Sequence, residues 1–266
     1  MSVLPLPQRL RLANEEPVQM FWFGGPLPEA HKICLQTWVQ QGYCPQLWQY
    51  EPLDPIDGVD HRDANQIVPE SVANDWLELP DRHARQTFAN GFRYALMLRT
   101  SGWWADTDFL CLGRLPVGES LFTTILDIPT RPELLELYPS LPHYGGNIQN
   151  SLFKVDHLDA QWLTPLALET WRLLQARECP AFGVAGTVWF TKALRSCYRI
   201  IPIKRLIGNN WTDRDKIFTD PDWRPAAWAR VLHLYNFTQP HIDAAIPGSC
   251  WSELAGRVLG TANTNS

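Results

Sequence analysis

The fold of this chain is decided by residues 82–108, which read RHARQTFANGFRYALMLRTSGWWADTD. Apolar side chains recur at helical spacing through the first part and predict a helix over Arg82–Thr100, capped near Gly102. Trp103–Ala105 then predicts a short buried strand that leads directly into two carboxylates. A helix followed by such a strand is the repeating unit of an α/β fold.

The same alternation extends toward the N-terminus. Val18–Phe23 predicts a strand, residues 28–41 a helix that begins at a proline, and Leu47–Tyr50 a second strand. Strand, helix, strand, helix and strand within the first 110 residues predict an α/β fold with a mostly parallel central sheet and flanking helices. The acidic, proline-rich stretch 51–81 is predicted to be a loop.

The second half of the chain is less regular. Ala160–Ala176 predicts a helix despite an internal proline, and Ile200–Ile203 predicts a strand. From Gly208 to Asn236 tryptophan, aspartate and proline alternate, which predicts a loop-rich C-terminal part packed over a site. We find no internal repeat and no Gly/Ser linker in the 266 residues.

Composition argues against several kinds of partner. The net charge is −5 and charged residues make up 19% of the chain without a Lys/Arg cluster, so nucleic acid and anionic membrane surfaces are not expected partners. No stretch approaches the roughly 18 apolar residues of a membrane span, and the N-terminus lacks the apolar segment of a signal peptide. Six cysteines without a Cys-x-x-Cys pair predict reduced thiols. We therefore expect a cytoplasmic enzyme.

Two carboxylates, Asp106 and Asp108, follow the predicted strand with one residue between them. Alternate residues of a strand point to one face, so both side chains can reach the same cation at the strand end. Oxygen ligands suit Mg²⁺ or Mn²⁺, which keep coordination positions open for substrate phosphates. The same spacing recurs at 213–215 and 220–222, where we expect surface loop charges.

The helix before these carboxylates presents Asn90, Arg93, Tyr94 and Met97 in one sector. Arg93 could meet a sugar or a phosphate, and Asn90 a hydroxyl group. The alternative is a solvated helix face, although Tyr94 and Met97 make the sector less polar than such a face normally is.

An aromatic residue and two glycines end the first predicted strand. Glycines such as Gly24 let a ligand approach the backbone closely, and a base stacked on Trp22 would gain about 1–3 kcal/mol. The alternative is that Trp22 is a buried strand aromatic.

Three residues near the C-terminus complete the candidate site. The hydroxyl of Ser249 and the indole N–H of Trp251 could both donate to a phosphate oxygen, and His233 could supply a metal or phosphate contact. The alternatives are a loop with a packed tryptophan and a histidine whose hydrogen bonds are satisfied in the core.

Three of these motifs, in this order, resemble the DXD sugar-transferase family. They are 21–25 (FWFGG), 89–94 (ANGFRY) and 101–108 (SGWWADTD), within an ordered match over residues 18–113. The usual signature of the family is Ile-Trp-Ile-Gly-Gly, Ser-Asp-x-x-Arg-Tyr and Gly-Gly-x-Tyr-x-Asp-x-Asp. It includes clostridial toxin glucosyltransferase domains, fungal α-mannosyltransferases and bacterial capsule or lipopolysaccharide transferases. Weaker similarity extends to 146–151, 183–192 and 249–251.

The resemblance implies a single GT-A type glycosyltransferase domain over residues 1–266. Residues 18–113 would hold the metal and the nucleotide sugar, and 114–266 would supply the acceptor side and a C-terminal closing loop. The implied cofactor is Mn²⁺ or Mg²⁺. The implied partners are a nucleoside-diphosphate sugar donor and a hydroxyl acceptor on a glycan, a lipid-linked glycan or a protein, as in polysaccharide or lipopolysaccharide synthesis, with retention of anomeric configuration.

The resemblance also assigns each candidate residue a part in binding the donor. Trp22, beside Gly24, would stack on the base, and Asn90 and Arg93 would contact the ribose or the sugar. Asp106 would face the ribose and the sugar, and Asp108 would bind the metal. Ser249 and Trp251 would bind the β-phosphate. His233 stays a candidate metal ligand from its own chemistry. The chain departs from the family at Asn90, where an aspartate is usual, at Ser101, and at the Trp103-Trp104 pair.

Two other functions fit the same residues. Thirteen tryptophans and the amide at Asn90 are also compatible with a carbohydrate- or nucleotide-binding protein that has lost catalysis. A sugar-nucleotide hydrolase would normally need more carboxylate or histidine ligands near Asp106 and Asp108 than the sequence places there.

Overall fold

The computed structural model of the protein describes residues 16–81, 83–116, 123–126, 147–155, 160–180, 183–195, 206–235, 237 and 239–262. The strands within these ranges are β1 (Val18–Phe21), β2 (Pro45–Gln49), β3 (Asp60–Asp63), β4 (Gly102–Ala105), β5 (Phe109–Cys111), β6 (Thr123–Leu126), β7 (Asn147–Val155) and β8 (Val231–His233). The helices are α1 (Glu29–Gln40), α2 (Glu70–Leu77), α3 (Ala84–Met97), α4 (Thr164–Ala176), α5 (Trp189–Arg195), α6 (Arg214–Thr219), α7 (Gln239–Asp243) and α8 (Cys250–Ala262).

Six strands form the central sheet in the order β3-β2-β1-β4-β7-β6. The first four are mutually parallel, whereas β7 runs antiparallel to both β4 and β6. A small second sheet pairs β5 with β8 in antiparallel register. The predicted α/β fold with a mostly parallel central sheet and flanking helices is therefore confirmed.

Helices cover both faces of the central sheet, so its inner strands are buried on both sides. On one face the aromatic side chains of Phe21, Trp104 and Phe153 pack with α2, α3, α4 and α5. On the other face Met20 and Trp103 pack with α1. A third apolar cluster joins α1 to α6, α8 and the small sheet. The consequence for function is that β1, β2 and β4 all end at the same edge.

Several predicted boundaries needed correction. The helix over 82–100 is confirmed as α3 but is shorter, and Gly102 is the first residue of β4 rather than a helix cap. The prediction of a loop over 51–81 was wrong, because this stretch contains β3 and α2. β3 is the polar edge strand DHRD, which has no apolar alternation to reveal it. The predicted strand at 200–203 lies outside the described residues.

Other predictions hold in outline. The N-terminal elements and the helix near 160–176 form within a few residues of their predicted ends, although a 3₁₀ turn occupies 160–163. None of the five described cysteines forms a disulfide. Among the described residues, no helix combines the length and apolar character needed to cross a membrane. The prediction of a cytoplasmic location stays a prediction.

The start of β4 gives a test of the fold. Gly102 has φ +104°, and an added Cβ would overlap the carbonyl oxygen of Pro17. We expect Gly102→Ala to lower the free energy of unfolding by at least about 1–3 kcal/mol, since the positive φ alone costs that much. Urea denaturation would measure the change.

The matched control is Gly256→Ala in α8, where the new methyl group meets no atom within 4 Å. Because alanine is the better helix former, we expect this control to raise the free energy of unfolding by about 0.5–1 kcal/mol. Equal effects of the two substitutions would contradict the placement of Gly102.

Candidate functional site

Arg93 on α3 holds the first carboxylate after β4. Its Nη2 lies 2.6 Å from Asp106 Oδ1, and the same oxygen accepts from Trp104 Nε1 at 2.8 Å. The guanidinium also lies over the Trp104 ring, 4.8 Å from its centroid. The Arg93 side chain is 6% exposed and that of Asp106 is 30% exposed, so the pair sits at the boundary between core and solvent.

A buried polar network surrounds this ion pair. Asn90 Oδ1 accepts from Arg93 Nη1 at 3.1 Å and from Asn150 Nδ2 at 2.9 Å. Arg93 Nη1 also donates to the backbone oxygen of Asn150 at 2.8 Å, while Tyr94 Oη donates to Ala185 O at 3.1 Å. The network connects α3 to β7 and to the distorted turn Val184–Val188, which precedes α5.

The sector of α3 that carries Asn90 and Arg93 is not a solvated face. The exposed fractions are 3% for Asn90, 5% for Arg93, and 0% for Tyr94 and Met97. That alternative is therefore excluded by the structure. Asn150 on β7, which sequence reasoning did not single out, completes the network, and only the weak similarity at 146–151 pointed to it.

Burial dominates the electrostatics of Asp106. Desolvation raises the pKa of this carboxyl group above its ordinary value, the neighbouring Arg93 lowers it, and the nearby Asp108 raises it again. The guanidinium and the indole N–H both stabilise the ionised form. Asp106 is thus oriented by α3 and by its own strand before any ligand binds.

The second carboxylate faces a different partner. Asp108 Oδ1 lies 3.4 Å from Nε2 of His233 at the end of β8, and both side chains are 10% exposed. The other imidazole nitrogen, Nδ1, lies 2.6 Å from Gln149 Nε2 on β7. The sequence suggested His233 as a site residue, and the structure brings it to Asp108 through the pairing of β5 with β8.

The donor set of this pair fits a divalent cation that also binds phosphate. The carboxylate suits Mn²⁺ or Mg²⁺, whereas the imidazole is a better ligand for Mn²⁺ than for the harder Mg²⁺; such ions complete their shell with water and phosphate oxygens. Among the described residues no three Cys, His, Asp or Glu side chains converge as a full metal cage. Asp106 as an additional ligand stays a prediction, because one of its oxygens is already bonded to Arg93 and Trp104.

His31, at the start of α1, was not identified from the sequence. Its Nδ1 lies 2.9 Å from Oγ1 of Thr107, the residue between the two aspartates. The ring packs between Trp22, at a centroid distance of 4.8 Å, and Phe237, at 4.9 Å. Burial lowers the pKa of His31, although Asp108 and Thr107 oppose the shift. No local sequence signal separates this histidine from any other on a helix.

An open cleft lies at the carboxyl ends of β1 and β2, and one of its lining residues, Trp22, packs on His31. Trp22, Gly24 and Gly25 line it from β1, and Tyr50 and Glu51 line it from β2, facing residues of α2. Gly24 has φ +83°, and the Trp22 indole donates to Gly25 O at 2.9 Å. In parallel sheets, ligands bind beyond the carboxyl ends of the strands.

Ser249 and Trp251 lie in the packed C-terminal part. Ser249 is fully buried, and its Oγ accepts from the backbone N–H of Ser252 at 3.3 Å, as an N-cap of α8 does. Trp251 is 3% exposed and packs against Phe218 and Phe237. In this arrangement both residues have structural contacts, and their part in phosphate binding stays a prediction.

The Asp-x-Asp pairs at 213–215 and 220–222 lie around α6 and include exposed side chains.

Comparisons with known proteins show only that the fold of this chain is similar to known folds. No family model matches the chain, and no curated protein matches it. A solved structure of PaToxG glycosyltransferase aligns with a TM-score of 0.47 at 12% identity, over 68% of this chain and 69% of that chain. The bifunctional glycosyltransferase WbbM aligns with a TM-score of 0.47 at 9% identity, over 95% of this chain and 53% of its own.

The glycosyltransferase GlyE of Streptococcus pneumoniae TIGR4 aligns with a TM-score of 0.41 at 10% identity, over 94% of this chain and 64% of its own. The chain therefore spans about half of WbbM and less than two thirds of GlyE. The TM-scores of these three structures are 0.47 or lower, so the similarities do not indicate an activity.

The Asn90 network gives a second test. Asn90→Ala removes the acceptor of both Arg93 and Asn150, and a buried donor left unsatisfied costs about 1–3 kcal/mol. We expect a loss of free energy of unfolding of at least that size in urea titrations at pH 7. Asn90→Asp keeps an acceptor beside the guanidinium, so we expect a smaller loss.

The control for this test is Asn74→Ala, at an exposed position of α2. Alanine is a better helix former than asparagine, so the control should leave stability unchanged or slightly raised. An Asn90→Ala protein as stable as the control would show that the network does not support the fold.

His31 predicts a pH dependence of stability. Its native pKa lies below the ordinary value of 6.5, so near and below that pH the unfolded chain binds a proton that the native protein does not. Stability attributable to His31 is therefore lost as the pH falls from 6.5 toward the native pKa. We expect His31→Gln to make the decline in the free energy of unfolding between about pH 7 and 5 shallower. Parallel curves for the two proteins would contradict this assignment.

Proposed function

We propose that this protein is a metal-dependent glycosyltransferase of the GT-A type, which moves a sugar from a nucleoside-diphosphate sugar to a hydroxyl acceptor. The observation that carries the proposal is the placement of two differently held carboxylates at one sheet edge. Asp106 is bonded to Arg93, Asp108 faces His233, and the cleft at Trp22 lies at the carboxyl ends of the neighbouring parallel strands β1 and β2. This arrangement offers adjacent places for a nucleoside, a diphosphate and a sugar.

The cleft suits the uncharged part of such a donor. Among the described residues that line it, the charged ones are Glu51 and Glu70, and none is a lysine or an arginine. An anionic diphosphate would be repelled there, whereas ribose hydroxyls and base N–H groups would find acceptors. Trp22 and the glycines after it provide an aromatic edge and a backbone that a base can approach.

The diphosphate belongs next to Asp108 and His233, which would hold Mn²⁺ or Mg²⁺. A bound divalent cation neutralises the negative charge that develops on a departing diphosphate. Asp108 contributes an anionic oxygen, and His233 contributes a nitrogen whose ring is fixed by its neighbours. Because both side chains are 10% exposed, this electrostatic interaction acts where water screens it little.

Arg93 and Asp106 would orient the sugar. Arg93 is held by Asn90, by the backbone of Asn150 and by Asp106, so its guanidinium does not need to reorganise when a ligand arrives. Its Nε is buried without a hydrogen-bond partner among the described residues. The oxygen of Asp106 that is not bonded to Arg93 is the group we assign to a sugar or ribose hydroxyl.

Retention of anomeric configuration is part of the proposal. One oxygen of Asp106 is bonded to Arg93 and Trp104, and Asp108 is assigned to the metal, so we assign neither carboxylate as a covalent nucleophile. We therefore propose front-side attack by the acceptor hydroxyl while the diphosphate leaves. Ser249 and Trp251 would take part only if the C-terminal segment rearranged over the bound donor.

Asp108→Asn tests the proposal. We expect wild-type protein with Mn²⁺ to hydrolyse or transfer at least one sugar from a panel of UDP- and GDP-sugars. The variant keeps the size of the side chain but loses its charge, so we expect turnover to fall about 100-fold or more, in line with the several kcal/mol that a metal contributes. Released nucleoside diphosphate would be quantified by chromatography.

The matched control is Asp222→Asn, an exposed carboxylate of the same spacing pattern. It should keep full turnover, and thermal unfolding would verify that both variants are folded. If no donor is turned over but one binds without Mn²⁺, the protein is a binding module and the proposal is wrong. Equal turnover by wild type and Asp108→Asn would remove the metal assignment.

A further inference from the structure

Gln149 contacts the imidazole of His233 on the side away from Asp108. Its Nε2 lies 2.6 Å from His233 Nδ1, and His233 Nε2 lies 3.4 Å from Asp108 Oδ1. Gln149 is 3% exposed and His233 is 8% exposed, so water has little access to either contact. The three side chains form a row in which the two ring nitrogens face different partners.

The His233 ring itself is held in place by other residues. Phe109 stacks on it at a centroid distance of 4.2 Å, and Tyr235 packs at 4.0 Å on a tilted plane. The side-chain amide of Asn209 donates to the backbone oxygen of His233 at 2.7 Å and accepts from its backbone N–H at 2.9 Å. With the ring and backbone fixed, what can change is which nitrogen carries the proton.

The tautomer of His233 follows from its partners. The NH₂ group of Gln149 can only donate, so Nδ1 of His233 accepts from it and the ring proton lies on Nε2. Nε2 faces Asp108 Oδ1 at 3.4 Å without a hydrogen bond between them. A metal ion at Nε2 needs the lone pair there, so the proton must then sit on Nδ1 and requires an acceptor on the other side.

Glutamine can satisfy both states. Rotation of its amide by about 180° replaces the NH₂ donor with the Oε1 acceptor, whereas a carboxylate only accepts and a lysine or arginine only donates. The change loses one N–H bond at Nε2 and forms one at Nδ1, so the ring carries the same number of protons before and after.

We propose that Gln149 is a positioning residue whose amide reverses when metal binds, which moves the ring proton of His233 from Nε2 to Nδ1 and lets Nε2 become a metal ligand. The proposal rests on the metal site of the proposed function. It gives the site two defined states, one for the metal-free and one for the metal-bound protein. It also explains why an uncharged amide is buried at this position.

Metal affinity is the first test. Gln149→Met keeps the side-chain length but removes the strong donor and acceptor, and loss of such an outer partner typically weakens metal binding 10–100-fold. Electron paramagnetic resonance of free Mn²⁺ would give the dissociation constants of wild type and variant. Thermal unfolding would establish that the variant is folded.

The control is Gln19→Met on β1, which removes another buried glutamine, 1% exposed and bonded to Trp48 Nε1 at 2.6 Å. We expect this control to lose stability while keeping the wild-type affinity for Mn²⁺. Unchanged affinity in Gln149→Met would overturn the inference and leave the proposed function intact. A wild-type protein that binds no Mn²⁺ would instead remove the metal site of the proposed function, and this inference with it.

Nuclear magnetic resonance gives a readout that does not depend on a variant of Gln149. In ¹⁵N-histidine-labelled wild-type protein, the signals of His233 would be assigned by their absence in His233→Gln. We expect the Nε2–H tautomer without metal, and the Nδ1–H tautomer after addition of diamagnetic Zn²⁺. A His233 that already has the proton on Nδ1 in the metal-free protein would contradict the proposed reversal.

Discussion

The ion pair between the buried Arg93 and the partly exposed Asp106 is the contact on which the site depends. A guanidinium that leaves water loses several kcal/mol of hydration, so it must be satisfied by well-placed partners. Here those partners come from α3 itself, from the end of β4, and from the backbone of β7 at Asn150. The pair therefore sets the position of helix and strands relative to each other, and it places the first carboxylate at the sheet edge.

The two carboxylates differ because they belong to different parts of the molecule. The carboxylate of Asp106 is bonded to Arg93 and Trp104, in the first half of the chain, whereas Asp108 faces His233 of β8, more than 100 residues later in the sequence. Packing of β5 against β8 makes that second contact. Asp106 is bonded to the guanidinium of Arg93, which stays charged. Asp108 faces the imidazole of His233, whose ring proton can lie on either nitrogen.

Much of the fold could be predicted because its core elements have strong periodic signals. The apolar spacing of α3 and the buried strands before and after it are local patterns, and the order of these elements predicts a parallel sheet. The miss at 51–81 has a physical cause, since β3 is a polar edge strand and α2 buries only Ala73 and Trp76. Such elements are stabilised by contacts with neighbouring elements, and the hydrophobic periodicity of their own sequence does not show those contacts.

The sequence by itself determined the α/β class, the position of Asp106 and Asp108 after a buried strand, and the grouping of Asn90 and Arg93 in one sector of the preceding helix. These follow from short-range periodicity and chain order. Only the tertiary structure decided that Asn90 and Arg93 are buried, and that His31, Gln149 and His233 surround the carboxylates. Those contacts join residues 57 to 125 positions apart, and no spacing rule reports such distances because they are created by the packing of separate elements.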